Sequence, residues 1–161
     1  MKNIKAIYMI WCLGWLAVQA IPVSAGANGW TQAGTGITAE VNAFAQDHGQ
    51  SQTLYAGAQN GFYYSADGGQ SWSLRGPSLV DRSVLSLAVD PENGDRLYAG
   101  LNTGLFQSAD GGESWAVVDA VGPGVLAVGT GAEGRVYAAT FGRGVFTSLD
   151  AGVSWVVAGS E

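Results

Sequence analysis

The sequence predicts an all-β protein made of about three copies of one four-stranded antiparallel unit, with a single extra strand in front. Three observations carry this. The phrase Ser108-Ala109-Asp110-Gly111-Gly112-Glu113-Ser114-Trp115 recurs as Ser65-Ala66-Asp67-Gly68-Gly69-Gln70-Ser71-Trp72, and Ser148-Leu149-Asp150-Ala151-Gly152-Val153-Ser154-Trp155 keeps its Ser, Asp, second Gly and Trp. The tryptophans are 43 and 40 residues apart, and Trp30 lies 42 before the first, a period that signals stacked copies of one supersecondary unit. Between the phrases run short segments rich in Val, Leu, Tyr and Phe, broken by Gly and Asp turns and without helical periodicity.

At the start of the chain, Lys2 and Lys5, the apolar run from Ala6 to Val18 and the small-residue site Val23-Ser24-Ala25 after Pro22 read as a signal peptide over residues 1–25. The apolar run is shorter than the ~20 residues of a spanning helix, so the mature form is not expected to be membrane-embedded. Residues 26–161 then form the folded domain, expected to be extracytoplasmic, either periplasmic or secreted. Gly29 to Gly34 resembles the segment that begins at each later tryptophan and reads as an extra strand over 29–34.

The first unit spans about residues 41–77, with strands at Val41 to Gln46, Thr53 to Gly57, Phe62 to Ser65 and from Trp72 onward. The second, about 84–120, repeats these spacings, with a turn over Asp90-Pro91-Glu92-Asn93-Gly94-Asp95. The third, about 125–159, carries one additional residue around Phe141-Gly142-Arg143-Gly144. Units of four short strands at this period are the blades of a β-propeller, here a partial one.

The chemistry of the repeated phrase is that of a turn. The carboxylates of Asp67, Asp110 and Asp150 can accept hydrogen bonds from backbone amides just ahead, and Ser65, Ser108 and Ser148 can add a second bond to the backbone. Gly69, Gly112 and Gly152 permit a left-handed backbone. Trp72, Trp115 and Trp155 then anchor the returning strand, since an indole burying ~200 Å² contributes up to ~5 kcal/mol before entropy is subtracted.

Composition narrows the function. The chain carries 7 basic and 13 acidic residues, and removal of residues 1–25 leaves only arginines as cations. Such a surface disfavours nucleic acid and anionic membranes as partners. Cys12 falls in the signal segment and His48 is the single histidine, so no Cys/His metal cluster and no metal or other cofactor is expected.

The S-x-D-x-G-x-x-W phrase resembles the Asp-box, or bacterial neuraminidase repeat. Its longer form, from Leu97-Tyr98-Ala99-Gly100 to Trp115, is similar to repeats of sortilin-type propellers, xyloglucanases and the photosystem II stability/assembly factor family. That resemblance implies a β-propeller fold and structural box residues, while the families sharing it do unrelated things. Their rings close with six or more blades, so three blades imply a homo-oligomer or a part of a larger propeller.

In a propeller the loops after the second and fourth strands share one face. Asn60, Asp81, Arg82, Asn102, Phe141 and Arg143 are the candidate ligand residues there, with Arg75, Gln59 and Thr103 beside them. Hydrolysis of a glycoside needs two carboxyl groups across a cleft, and Asp81 is the acid assigned to this face, with Asp119 nearby in the next connection. No catalytic residue is therefore assigned. The expectation is a non-catalytic scaffold that binds a protein or carbohydrate ligand; the alternative is a fragment or relative of a glycoside hydrolase of sialidase or xyloglucanase type.

Overall fold

A computed structural model describes residues 35–159. The signal segment expected over 1–25 and the extra strand expected over 29–34 lie outside these residues. Within them the chain forms three four-stranded antiparallel sheets, each in simple sequential order. The first contains β1 (Val41–Gln46), β2 (Leu54–Ala58), β3 (Gly61–Ser65) and β4 (Ser73–Arg75). The second contains β5 (Val84–Asp90), β6 (Asn93–Leu101), β7 (Gly104–Ser108) and β8 (Ala116–Val118). The third contains β9 (Val125–Thr130), β10 (Val136–Thr140), β11 (Gly144–Ser148) and β12 (Val156–Val157). A single 3₁₀ turn at Pro77–Leu79 interrupts the first connection between blades.

The sheets stack face to face, with β1 against β5 and β5 against β9. Because the middle sheet is covered on both faces, β6 reads Leu97-Tyr98-Ala99-Gly100-Leu101 as one buried run without polar alternation. Leu97, Ala99 and Phe106 meet Tyr55 and Phe62 of the first blade, while Tyr98 and Leu105 meet Val136, Ala138 and Phe146 of the third. Close approach depends on missing side chains. A Cβ on Gly57 would stand 2.6 Å from Cγ1 of Val84, and one on Gly100 2.8 Å from Cγ1 of Val125. Each next blade thus sets the valine that opens its first strand into a notch in the blade before it.

The second blade departs from expectation at its first turn, which is shorter than the six residues read from the sequence. Asp90 pairs with Asn93 across a two-residue reversal, and its Oδ1 accepts the Glu92 amide at 2.9 Å, so Asn93 to Asp95 join β6. The additional residue of the third blade sits in the β10–β11 hairpin, between Thr140 and Gly144.

The two ends of the stack differ from its middle. Tyr98 and Leu105 are fully buried under the third blade, whereas their counterparts Tyr137 and Val145 are each 42% exposed. At the other end Phe44 is exposed where its counterpart Leu87 is buried. The lead-in segment covers part of that face: Thr35 pairs in parallel with Ser71, and Ile37 and Ala39 pack with Trp72 over Ala56, Ala58 and Tyr63.

Candidate functional site

The three Asp-boxes are built alike, atom for atom. In the middle one, Ser108 Oγ donates to Asp110 Oδ1 at 2.7 Å and accepts the amides of Asp110 and Gly112. Asp110 Oδ1 in turn accepts the Ser114 amide at 2.9 Å, and Oδ2 accepts the Ser114 hydroxyl at 2.5 Å. The Trp115 indole N–H closes the turn by donating to the Gly112 carbonyl at 3.1 Å. Ser65, Asp67, Gly69 and Trp72 repeat this network, as do Ser148, Asp150, Gly152 and Trp155.

With these donors the three carboxyls are held down to about 2, chiefly by the hydroxyls of Ser71, Ser114 and Ser154. These serines were not among the site residues read from the sequence. Their signal was present, since a Ser precedes the Trp in all three copies. The boxes' oxygens are engaged with their own turn, and the described residues contain no group of three or more His, Cys, Asp or Glu placed to hold a metal ion.

Each of the later boxes also clasps the blade before it. Tyr98 Oη donates to the Ala151 carbonyl at 2.9 Å, joined there by Gln107 Nε2 at 3.2 Å. At the first junction Trp115 meets Phe62 edge-on at 5.0 Å. Arg75 belongs to this junction and not to the face where ligand residues are expected. Its guanidinium lies 3.6 Å above the Tyr64 ring and donates to the Gly111 carbonyl, because as the last residue of β4 it faces the next blade. Burial pushes the Tyr55 and Tyr98 hydroxyls up to about 12.

At the opposite end, the loops after the second and fourth strands are tied together. The Asp81 amide donates to the Asn60 carbonyl, the Gly124 amide to the Asn102 carbonyl, and the Phe141 amide to the Gly124 carbonyl. Asn60, Asp81, Arg82, Asn102, Phe141 and Arg143 therefore occupy one end of the stack. Asn60 Oδ1 accepts the Tyr63 hydroxyl, so its side chain is part of the frame. Asp81 holds φ at 60°, a left-handed backbone unusual outside glycine. Arg143 donates to the Val121 carbonyl at 2.8 Å and rests over Phe146, which fixes its head group in place. Arg82 lies over Phe106 at 5.7 Å and is exposed. Phe141 is 79% exposed at the tip of its hairpin. Asp119, the weaker acid candidate, lines a groove at the outer rim between the second and third blades.

A family model for the BNR/Asp-box repeat matches residues 63–74, the first box and its flanks. A search of curated proteins returns no match. Among solved structures the chain is similar to an ancestral GH74 enzyme, with 24% identity and a TM-score of 0.65 over 82% of this chain and 20% of that one. YCF48 from Cyanidioschyzon merolae superposes with a TM-score of 0.66 at 16% identity, over 80% of this chain and 40% of that one. YCF48 bound to D1 peptide gives a TM-score of 0.60 at 20% identity, over 74% and 40%. The chain thus spans two fifths or less of the length of these structures. These likenesses, with the three boxes and three sheets, make it a BNR-type, β-propeller-like repeat protein.

Proposed function

We propose that this BNR-type repeat protein is an exported, non-catalytic scaffold that binds a protein partner through the loops at the Asn60–Arg143 end of its blades. The observation that carries the reading is the make-up of that end: an exposed aromatic, Phe141, and two arginines held over phenylalanine rings, with Asp81 in the connecting loop and Glu40 bonded to the Gln59 side chain beside Asn60. Such groups suit contact with a polypeptide, since the aromatic supplies buried area and arginine meets carboxylates or backbone carbonyls. Glycoside hydrolysis asks for two carboxyls facing each other at ~5 to 10 Å. The likeness to YCF48, one structure of which carries a D1 peptide, supports a protein over a glycan.

The test is capture from an extracytoplasmic extract by the purified chain, repeated with an Arg82→Ala/Phe141→Ala variant and alongside a glycan array. Loss of a captured protein in the variant, with unchanged melting, supports the reading. Retained capture refutes this location, and turnover of xyloglucan oligosaccharides that disappears in Asp81→Asn refutes the non-catalytic assignment. The exposed end face at Tyr137 and Val145 further supports assembly, in which a second copy or a further blade covers it. Sedimentation should then show a species larger than the monomer that Val145→Glu dissociates; a monodisperse, cooperatively melting monomer would refute assembly.

A further inference from the structure

The junction between the second and third blades is the first junction with its filling removed. At the first, Arg75 lies flat on Tyr64, donates to the Gly111 carbonyl at 3.2 Å and comes within 4.0 Å of Glu113. By sheet register Gln107 stands where Tyr64 does and Val118 where Arg75 does, and Val153 replaces Glu113 in the aligned box. The smaller side chains leave a groove of about 540 Å³. Trp115 and Trp155 line it together with Ala116, Val118 and Val153, and Asp119 is its one charged lining residue.

Two further features define what fits. The strand β8 borders the groove and pairs with β7 on one edge, while its other edge carries no strand among the described residues. Along β8, Ala116 and Val118 share the face of Gln107 and Leu105, Val117 lies on the opposite face of the strand, and all three line the groove. Several polar side-chain groups around the groove are already committed. Both indole N–H groups donate within their own boxes, the hydroxyls of Ser108 and Ser114 are bound to Asp110, and the Gln107 amide is spent on Ala151. That leaves Asp119 and the open backbone edge of β8 to meet a ligand. Val153, at the mouth, is 83% exposed.

We infer that this groove docks an extended segment of a protein partner, which adds as a strand to β8, seats a bulky apolar side chain against Trp155 and sets a Lys or Arg beside Asp119. The open edge supplies backbone pairing, and the alternation of Ala116 and Val118 selects every second residue of the incoming segment. The occupied first junction shows that the space accepts a long side chain laid across it. This site is separate from the loop end proposed above and stands or falls independently of it.

The probe is a short synthetic peptide of alternating Leu and Thr ending in Lys, titrated into the ¹⁵N-labelled chain. Saturable amide shifts should be confined to β8 and the third box. Val153→Lys, at an exposed position, should weaken binding about tenfold or more. Gln107→Tyr/Val118→Arg, which rebuilds the filling of the first junction, should abolish it with the fold retained, and Arg82→Ala/Phe141→Ala should leave it unchanged. The inference is overturned by shifts centred elsewhere, by equal binding to the Val153→Lys and rebuilt variants, by no saturable shift at millimolar peptide, or by shifts at the groove with cellohexaose instead of the peptide.

Discussion

Gly69 and Gly112 occupy the same position in two boxes and hold nearly the same backbone, φ 88° and 86°, so alanine at either meets the same left-handed strain. Their surroundings differ. A Cβ on Gly69 would stand 3.4 Å from Leu54 Cδ1 and 3.6 Å from Trp72 Cζ2, which are ordinary contacts within its own blade. On Gly112 it would lie 2.6 Å from Cζ of Phe62, a fully buried ring of the preceding blade that Trp115 already holds edge-on. Left-handed alanine costs ~1 to 2 kcal/mol, of which ~0.4 to 1 is returned by restricting the unfolded chain. Gly69→Ala should therefore destabilise by ~0.5 to 1.5 kcal/mol. Gly112→Ala adds an overpacking cost of ~1 to 3 kcal/mol, for a total of ~1.5 to 4.5. Urea unfolding followed by tryptophan fluorescence and circular dichroism, with the slopes compared, measures both. Costs equal within ~0.5 kcal/mol would refute the claim that this glycine is dictated by the neighbouring blade as well as by its own turn.

Ala151 stands at φ 57° where the first two boxes have Gly68 and Gly111, so Ala151→Gly should stabilise the chain by ~0.5 to 1 kcal/mol in the same urea assay. Stability should also respond to pH at both extremes. The box carboxyls titrate at about 2 in the folded chain, below the unfolded aspartate range, so they contribute stability above ~4 that is lost as pH falls through about 2. Ser71→Ala/Ser114→Ala/Ser154→Ala should flatten that acid limb. Tyr55 and Tyr98 stay protonated to about 12, so their contribution is complete below ~10 and is lost as pH rises from there through about 12. Tyr98→Phe should reduce the loss of stability over that alkaline window.

The repeat was legible because its information is local. An Asp, its flanking serines and a glycine lie within seven residues and encode the turn without help from the rest of the chain, so the boxes and the strands between them could be placed from spacing. The loops after the second and fourth strands could be gathered at one end by topology alone. What the sequence did not disclose is what neighbouring blades do to one another. Arg75 looks like an exposed loop residue until β4 is seen to turn its face to Gly111. Tyr98 looks like a strand filler until its hydroxyl meets Ala151, 53 residues on. Such partners are set by the stacking of sheets, and no local pattern records them.

The same stacking explains where the three copies diverge. Gly57 and Gly100 are bare because the next blade's valine enters there, yet the third copy has Ala139 at this position. Tyr64 and Gln107 both face the next blade and the second reaches its box, whereas the third copy has the shorter Thr147. A Cβ at Ala139 fills the notch that took Val84 and Val125, so a unit packed on the third blade cannot seat its first strand as those valines do. The end face keeps the exposed Tyr137 and Val145 but not the socket beside them. Whatever covers it must therefore rest on a flatter surface than either internal junction, and docking by simple repetition of the blade-to-blade geometry is sterically opposed at that one carbon.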